Sequence, residues 1–362
     1  KFDMKWEEAN SYFIFGYVKQ NQNEIKEAIE YYIKAIKILG KLGDIRSKND
    51  YARILINCGN ILRENFDFSY ALKFYEMAFK TANEYGFTKR LAYIHFNKAM
   101  NYRGGRSYPE AFEEVRSLYN IALQNNDDEN KFNSFNELGI LLKNLNCRQR
   151  SEKCYLANIQ NIFDNSYNKN FIGFSYNNLA NLKFSELKNF NEIESAYKLA
   201  EKSYLDNSKG DFHKSSRNLF VLYKNLTEVS TDFNVQKKSD EYGKKALTYY
   251  RFTDPKPSTI QIFDHLSYLS RVNGDYQKAT YYTNRYKEEY KKFRKQKLDQ
   301  LSILHLEGIQ MDAIVEQFGQ EEKKENSQGL SNEIIIIVFV LFVLSFAGLS
   351  IILNRRRKHL VN

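Results

Sequence analysis

Between Leu55 and Ala78 small and aromatic positions fall at fixed offsets. Gly59 is followed by Ala71 twelve residues on, then by Tyr75 and Ala78. Small residues let two antiparallel helices approach, an aromatic ring fills the space beside them, and a further small residue admits the next pair. The pattern recurs as Gly16, Ala28, Tyr32 and Ala35, as Gly139, Ser151 and Tyr155, and as Gly274-Asp275-Tyr276 followed by Ala279. Weaker copies are Ala99/Ala111, Ala180/Tyr197/Ala200, and Phe220/Tyr223 with Ala246. The second-helix anchors fall at 28, 71, 111, 151, about 193, about 239 and 279, so the intervals cluster near 40 residues. Ile25, Ala28, Ile29, Tyr32 and Ala35 share one face at helical spacing, which predicts a helix over 21–36.

These offsets resemble the tetratricopeptide repeat, although the unit is longer than the 34 residues of its commonest form and lacks its closing proline. It looks like the longer repeats of bacterial regulatory and scaffold proteins. The resemblance implies an all-α, right-handed α-solenoid of about seven helical hairpins over residues 1–287. The expected hairpins occupy roughly 1–36, 49–84, 90–124, 130–163, 170–205, 212–250 and 258–287. An enlarged loop is expected through Ser230-Thr231-Asp232, and Phe252 to Pro257 should break the helix. Pro109 suits the first turn of a helix after the Gly104-Gly105 loop.

The pattern changes beyond the repeats. Over 288–318 a long helix is expected, with Leu301, Leu304, Gly308, Met311, Val315 and Phe318 forming a 3-4-3-4-3 seam. Two readings stay open there: a capping helix over the last repeat, or a homodimer seam. Residues 319–333 read as a polar linker. Residues 334–353 form twenty uncharged positions, about 30 Å as a helix, and predict a transmembrane helix in a lipid bilayer. The basic tail 354–362 carries Arg355, Arg356, Arg357 and Lys358. Positive-inside counting then predicts a single-pass protein with repeats periplasmic or extracytoplasmic and the C-terminus cytoplasmic. The alternative is a tail anchor with cytosolic repeats. Lys1 is no initiator Met, so an upstream segment or signal peptide is expected to have been removed.

Composition agrees with a helical protein: 3 Pro and 16 Gly in 362 residues, with 27 Tyr and 27 Phe to fill gaps between helices. The net charge of +10 favours acidic peptides or anionic surfaces. No recognisable nucleic-acid module concentrates that charge, so no nucleic-acid partner is expected. Cys58 reads as a small core residue. Cys147 and Cys154 straddle a helix corner, where a disulfide is neither required nor excluded. His95, His213, His265, His305 and His359 are scattered without a second ligand at metal spacing. No P-loop, dinucleotide fingerprint or nucleophile elbow occurs. Neither a catalytic site nor a metal or cofactor is expected.

In the repeat family the first helix of each hairpin lines a concave groove with its positions 2, 5, 9 and 12. Carried over, position 12 is Gln20, Arg63, Arg103, Lys143, Phe184, Lys224 and Arg271, five of seven basic. Asn60 and Asn181 take position 9, and Asn136, Asn177 and Arg217 take position 5. Arg53 joins the set at position 2. Amides can bond an extended peptide backbone while cations hold its carboxylates. Against this stands a plainer role, cations at helix ends that complement the macrodipole. The resemblance implies a protein–protein or peptide-binding module. Its architecture is similar to the sensor half of membrane-bound Bacteroidetes regulators, with a cytosolic, tail-anchored adaptor or assembly factor as the alternative. Few residues remain after Lys358 for an output domain.

Overall fold

The computed structural model describes residues 2–22, 24–160, 169–186, 189–207, 212–251, 253 and 257–295. The chain divides into two compact units, Lys1–Ser302 and Ile303–Asn362, and every described residue lies in the first. That unit is an all-helical solenoid without a strand among the described residues. Its helices are α1 (Phe2–Asn21), α2 (Ile25–Leu39), α3 (Ile45–Glu64), α4 (Phe68–Glu84), α5 (Thr88–Gly104), α6 (Tyr108–Gln124) and α7 (Asp128–Asn144). There follow α8 (Arg148–Gln160), α9 (Lys169–Ser185), α10 (Phe190–Asn207), α11 (Phe212–Asp232), α12 (Gln236–Tyr250), α13 (Pro257–Val272) and α14 (276–295).

The 40-residue unit has a local cause. Between α3 and α8 each helix ends in a three-residue turn whose middle residue has positive φ: Phe66, Gly86, Arg106, Asn126 and Asn146, twenty residues apart. Around Phe66 the amide of Asp67 donates to Leu62 O and that of Phe66 to Arg63 O, both at 3.0 Å, a Schellman closure of α3. Asp67 then caps α4 by accepting from the Tyr70 amide at 3.2 Å. One residue thus ends a helix and starts the next. Asp127 repeats the arrangement, closing α6 onto Ala122 O and accepting from the Asn130 amide. Seventeen helical residues plus three of turn make half a repeat.

Within a hairpin the backbones approach at the small positions. An added Cβ at Gly16, Gly59 or Gly139 would lie 2.6, 2.5 or 2.5 Å from the ring of Tyr32, Tyr75 or Tyr155, each sixteen residues on. In the α5/α6 hairpin the pair is inverted in size: Ala99 adds the methyl, and Val115 replaces the ring. A hydroxyl–carbonyl bond marks the same approach elsewhere. Ser151 Oγ donates to Gly139 O at 2.7 Å, and Ser239 Oγ to Thr227 O at 3.0 Å. That second bond places the close approach of the α11/α12 hairpin at Thr227 and Ser239, seven residues after the Phe220 of the sequence reading.

Two expectations change. Ser230, Thr231 and Asp232 are helical, not an enlarged loop. Thr231 Oγ1 bonds Thr227 O at 2.7 Å and Ser239 Oγ at 2.6 Å, so its hydroxyl is satisfied inside the helix pair. The single-pass placement, with repeats outside and the tail inside, is also corrected. Among the described residues no helix is long and apolar enough to cross a membrane, because each carries polar positions around its buried stripe. The transmembrane helix expected over 334–353, the tail cations Arg355, Arg356, Arg357 and Lys358, and the homodimer seam over 301–318 lie outside the described residues.

Candidate partner-binding face

Consecutive helices pack as hairpins, and the first helices also pack on one another: α3 on α5, α5 on α7, α7 on α9, α9 on α11 and α11 on α13. Such closeness puts the first helices on the shorter, inner side of the stack. Polar bonds stitch this row. Trp6 Nε1 donates to Asp50 Oδ2 at 3.0 Å, Arg90 Nε to Asn49 Oδ1 at 3.0 Å, and Asn178 Nδ2 to Asn136 Oδ1 at 2.8 Å. Arg103 pairs with the buried Glu137, and Asn225 Nδ2 reaches Asn181 Oδ1 at 3.3 Å.

Many of the residues expected to face a ligand therefore hold the solenoid together. Arg53 lies 4.1 Å from the centre of the Phe13 ring and pairs with Asp50 at 2.9 Å. Asn60 accepts the Tyr75 hydroxyl at 2.7 Å, while Arg63 Nε donates to the same oxygen at 3.4 Å. Gln20 accepts from Tyr32 and Asn181 from Tyr197, at 2.7 and 2.5 Å. A tyrosine buried against a small residue needs somewhere to send its hydroxyl. First-helix polar residues at positions 9 and 12 supply that acceptor. Burial pushes the Tyr75 and Tyr155 phenols up to about 12, so both remain protonated donors.

The remaining candidates separate clearly. Lys224 sits 3.8 Å from Glu228, and Arg271 Nη2 donates to Ser267 Oγ at 3.3 Å. By the Thr227 register Lys224 is at position 5 of its hairpin rather than 12, and Arg217 lies a further two turns back, exposed. Asn177 is buried with its Oδ1 making no hydrogen bond among the described residues. Arg63 and Lys143 have no carboxylate within ion-pair distance among the described residues. Burial, then the charge of Arg148, lowers the Lys143 pKa. Glu137, Asn178 and Asn225 were missed by sequence reasoning. The usable signal was the recurrence of amides and acids about one repeat apart.

This geometry can be set beside known structures. The chain aligns over 80% of its length with a Rap protein complexed with Competence and Sporulation Factor, covering 76% of that chain at 15% identity and a TM-score of 0.54. Aspartyl phosphate phosphatase F from Bacillus subtilis gives 0.55 at 15% identity, over 79% of this chain and 71% of that one. The quorum sensor NprR from B. thuringiensis, in its apo form, gives 0.50 at 10% identity, over 84% and 80%. The fold is a tetratricopeptide-type helical repeat. No protein-family profile matches the chain. No characterised protein matches it in sequence. At these identities the likeness is one of fold; the chemistry of the inner row rests on its own residues. Among the described residues no cluster of His, Cys, Asp or Glu could hold a metal ion.

Proposed function

We propose that this solenoid is a peptide- or protein-binding module of a regulatory or scaffold protein, and that its partner lies along the inner row of first helices. The observation that supports this is the uncompensated charge of Arg63 and Lys143 on a row where Arg53, Arg103 and Lys224 each pair with a carboxylate of the fold. A half-buried ammonium without a carboxylate is destabilised by its surroundings, and an acidic segment laid across it restores the balance. The Rap complex with its factor and the quorum sensor NprR lend the reading further support as fold relatives.

The test is a peptide array of graded acidity probed with the purified chain. Asp/Glu-rich extended peptides should be retained, and the triple reversal Arg63→Glu, Lys143→Glu and Arg271→Glu should abolish retention with helicity unchanged by circular dichroism. Retention independent of peptide charge, or equal retention by the reversed variant, would remove the proposal.

A further inference from the structure

Arg63, Arg103 and Lys143 are equivalent residues, each the last but one of its helix on α3, α5 and α7. The fold treats the middle one differently. Arg103 pairs with the buried Glu137, so α5 brings no net charge to the row at this level. Arg63 and Lys143 have no carboxylate within ion-pair distance among the described residues. Arg63 donates through Nε to the Tyr75 hydroxyl at 3.4 Å, and its terminal nitrogens make no hydrogen bond among the described residues. Lys143 is half-buried near Arg148, whose Nε donates to Asn146 Oδ1 at 3.0 Å. Between the two uncompensated cations α5 presents Phe96 and Met100, one turn apart and both half-buried.

The spacing of the two cations sets the spacing of what they hold. α3 packs on α5, and α5 on α7. Packed helix axes lie roughly 8–10 Å apart, so α3 and α7 are separated by roughly 16–20 Å. An extended chain rises about 3.4 Å per residue and covers that distance in about five or six residues. Its side chains alternate between two faces, so two of them meet one row only at an even separation, about six rather than five. We propose that the inner row takes an extended segment with carboxylates at i and i+6, held by Arg63 and Lys143, and an apolar residue at i+2 or i+4 over Met100. This rests on the peptide-binding reading above and names the ligand's pattern. A third acid in the middle gains little, because Glu137 already neutralises Arg103. The flexible thioether of Met100 accepts apolar side chains of several shapes.

The probes are labelled peptides with blocked ends and identical composition, two Glu and one Leu among Ser and Thr. They differ only in the separation of the two Glu, at i+3, i+6 or i+9, and are titrated into the full chain by fluorescence anisotropy. The i+6 peptide should bind about tenfold more tightly than the other two. Arg63→Gln and Lys143→Gln should each weaken it, with circular dichroism unchanged. Against a peptide in which one Glu is replaced by Gln, the substitution at the matching cation should cost nothing further. Equal affinity at all three separations overturns the two-point arrangement and leaves the acidic-partner reading standing, as do losses that add in every combination of variant and peptide. The peptide series decides this without any variant. Binding that does not distinguish the Glu peptides from their Gln counterparts overturns both readings together.

Discussion

The ring of Tyr75 occupies the volume that a side chain at Gly59 would need. A Cβ there would fall 2.5 Å from Cε1 of a ring that is fully buried and anchored at its hydroxyl by Asn60. The ring cannot swing aside without breaking that bond. Gly59→Ala is therefore expected to destabilise by about 1–2 kcal/mol: overpacking of this kind costs roughly 1–3, and the better helix propensity of alanine returns up to about 1. Pairing it with Tyr75→Val, which copies the Ala99/Val115 combination of the next hairpin, should recover part of the loss. Urea denaturation of the two single variants and the double variant measures the coupling, and strict additivity would contradict it.

The buried cluster on α4, α5 and α6 gives a pH-dependent prediction. Lys98 Nζ lies 2.7 Å from Glu76 and 2.8 Å from Glu114, and His95 Nδ1 is 2.6 Å from the other Glu114 oxygen. Burial by itself would raise the Glu114 carboxyl, but the hydrogen bonds and charges of His95 and Lys98 outweigh it and hold it below the usual 4.5. A carboxyl depressed on folding contributes stability in full above its unfolded value, lost as pH falls through the lower folded one. Burial would likewise lower Lys98, but its two carboxylates raise it above 10.5, so its own contribution stays constant over the acid range. Glu114→Gln should cost about 3 kcal/mol at pH 7, the low end for breaking a buried pair because Glu76 remains. The gap to the unmodified chain should close below pH 4.5. A gap that persists at pH 3 would mean packing, rather than charge, is responsible.

What the sequence made legible, and what it hid, follows from the range of the interactions. Gly59, Ala71 and Tyr75 interact within one hairpin, so their spacing survives as a countable offset, and a 40-residue interval follows from two 20-residue halves. The sixth hairpin is legible at 212–250, but its first-helix register falls on Phe220 because Thr227 and Ser239 approach through a hydroxyl–carbonyl bond, and neither is the expected Gly or Ala. The candidate site was harder. An Asn or Arg on a first helix reads the same whether it faces a ligand, as proposed for Arg63, or binds a neighbour some forty residues away, as Asn136 does with Asn178. Position along the helix selects the face; only the neighbouring hairpin decides which groups are already satisfied.

Backbone strain at the turns yields an opposite pair of effects. Arg106 has φ 63° and Gly86 φ 68° at equivalent turn positions, and nothing lies within 4 Å of a Cβ added at Gly86. Packing therefore plays no part at Gly86. A non-glycine residue in this region costs about 1–2 kcal/mol, and glycine loses about 0.4–1 through the freer unfolded chain. Arg106→Gly should stabilise by roughly 0.5–1 kcal/mol and Gly86→Ala should destabilise by a similar amount. Melting curves of both variants decide this; shifts of the same sign would be incompatible with it.

The three cysteines report on whether the stack opens. Cys58 and Cys154 are buried and Cys147 is exposed at the turn before α8, all three unpaired, so the corner carries no disulfide. Burial pushes the Cys154 thiol up to about 11 and raises that of Cys58 further, which leaves both as poor nucleophiles near neutral pH. Iodoacetamide at pH 8 should therefore modify Cys147 quickly, and mass spectrometry of the native chain should show a single adduct. Cys154 and Cys58 should follow only at the rate at which their hairpins open, and at once in denaturant. The order between them is informative: Cys154 retains some exposure, whereas Cys58 lies between α2 and α4 with Gly59 closed by Tyr75. Labelling of Cys58 ahead of Cys154 would mean that the first hairpins separate more readily than the fourth, contrary to the denser packing around Tyr75.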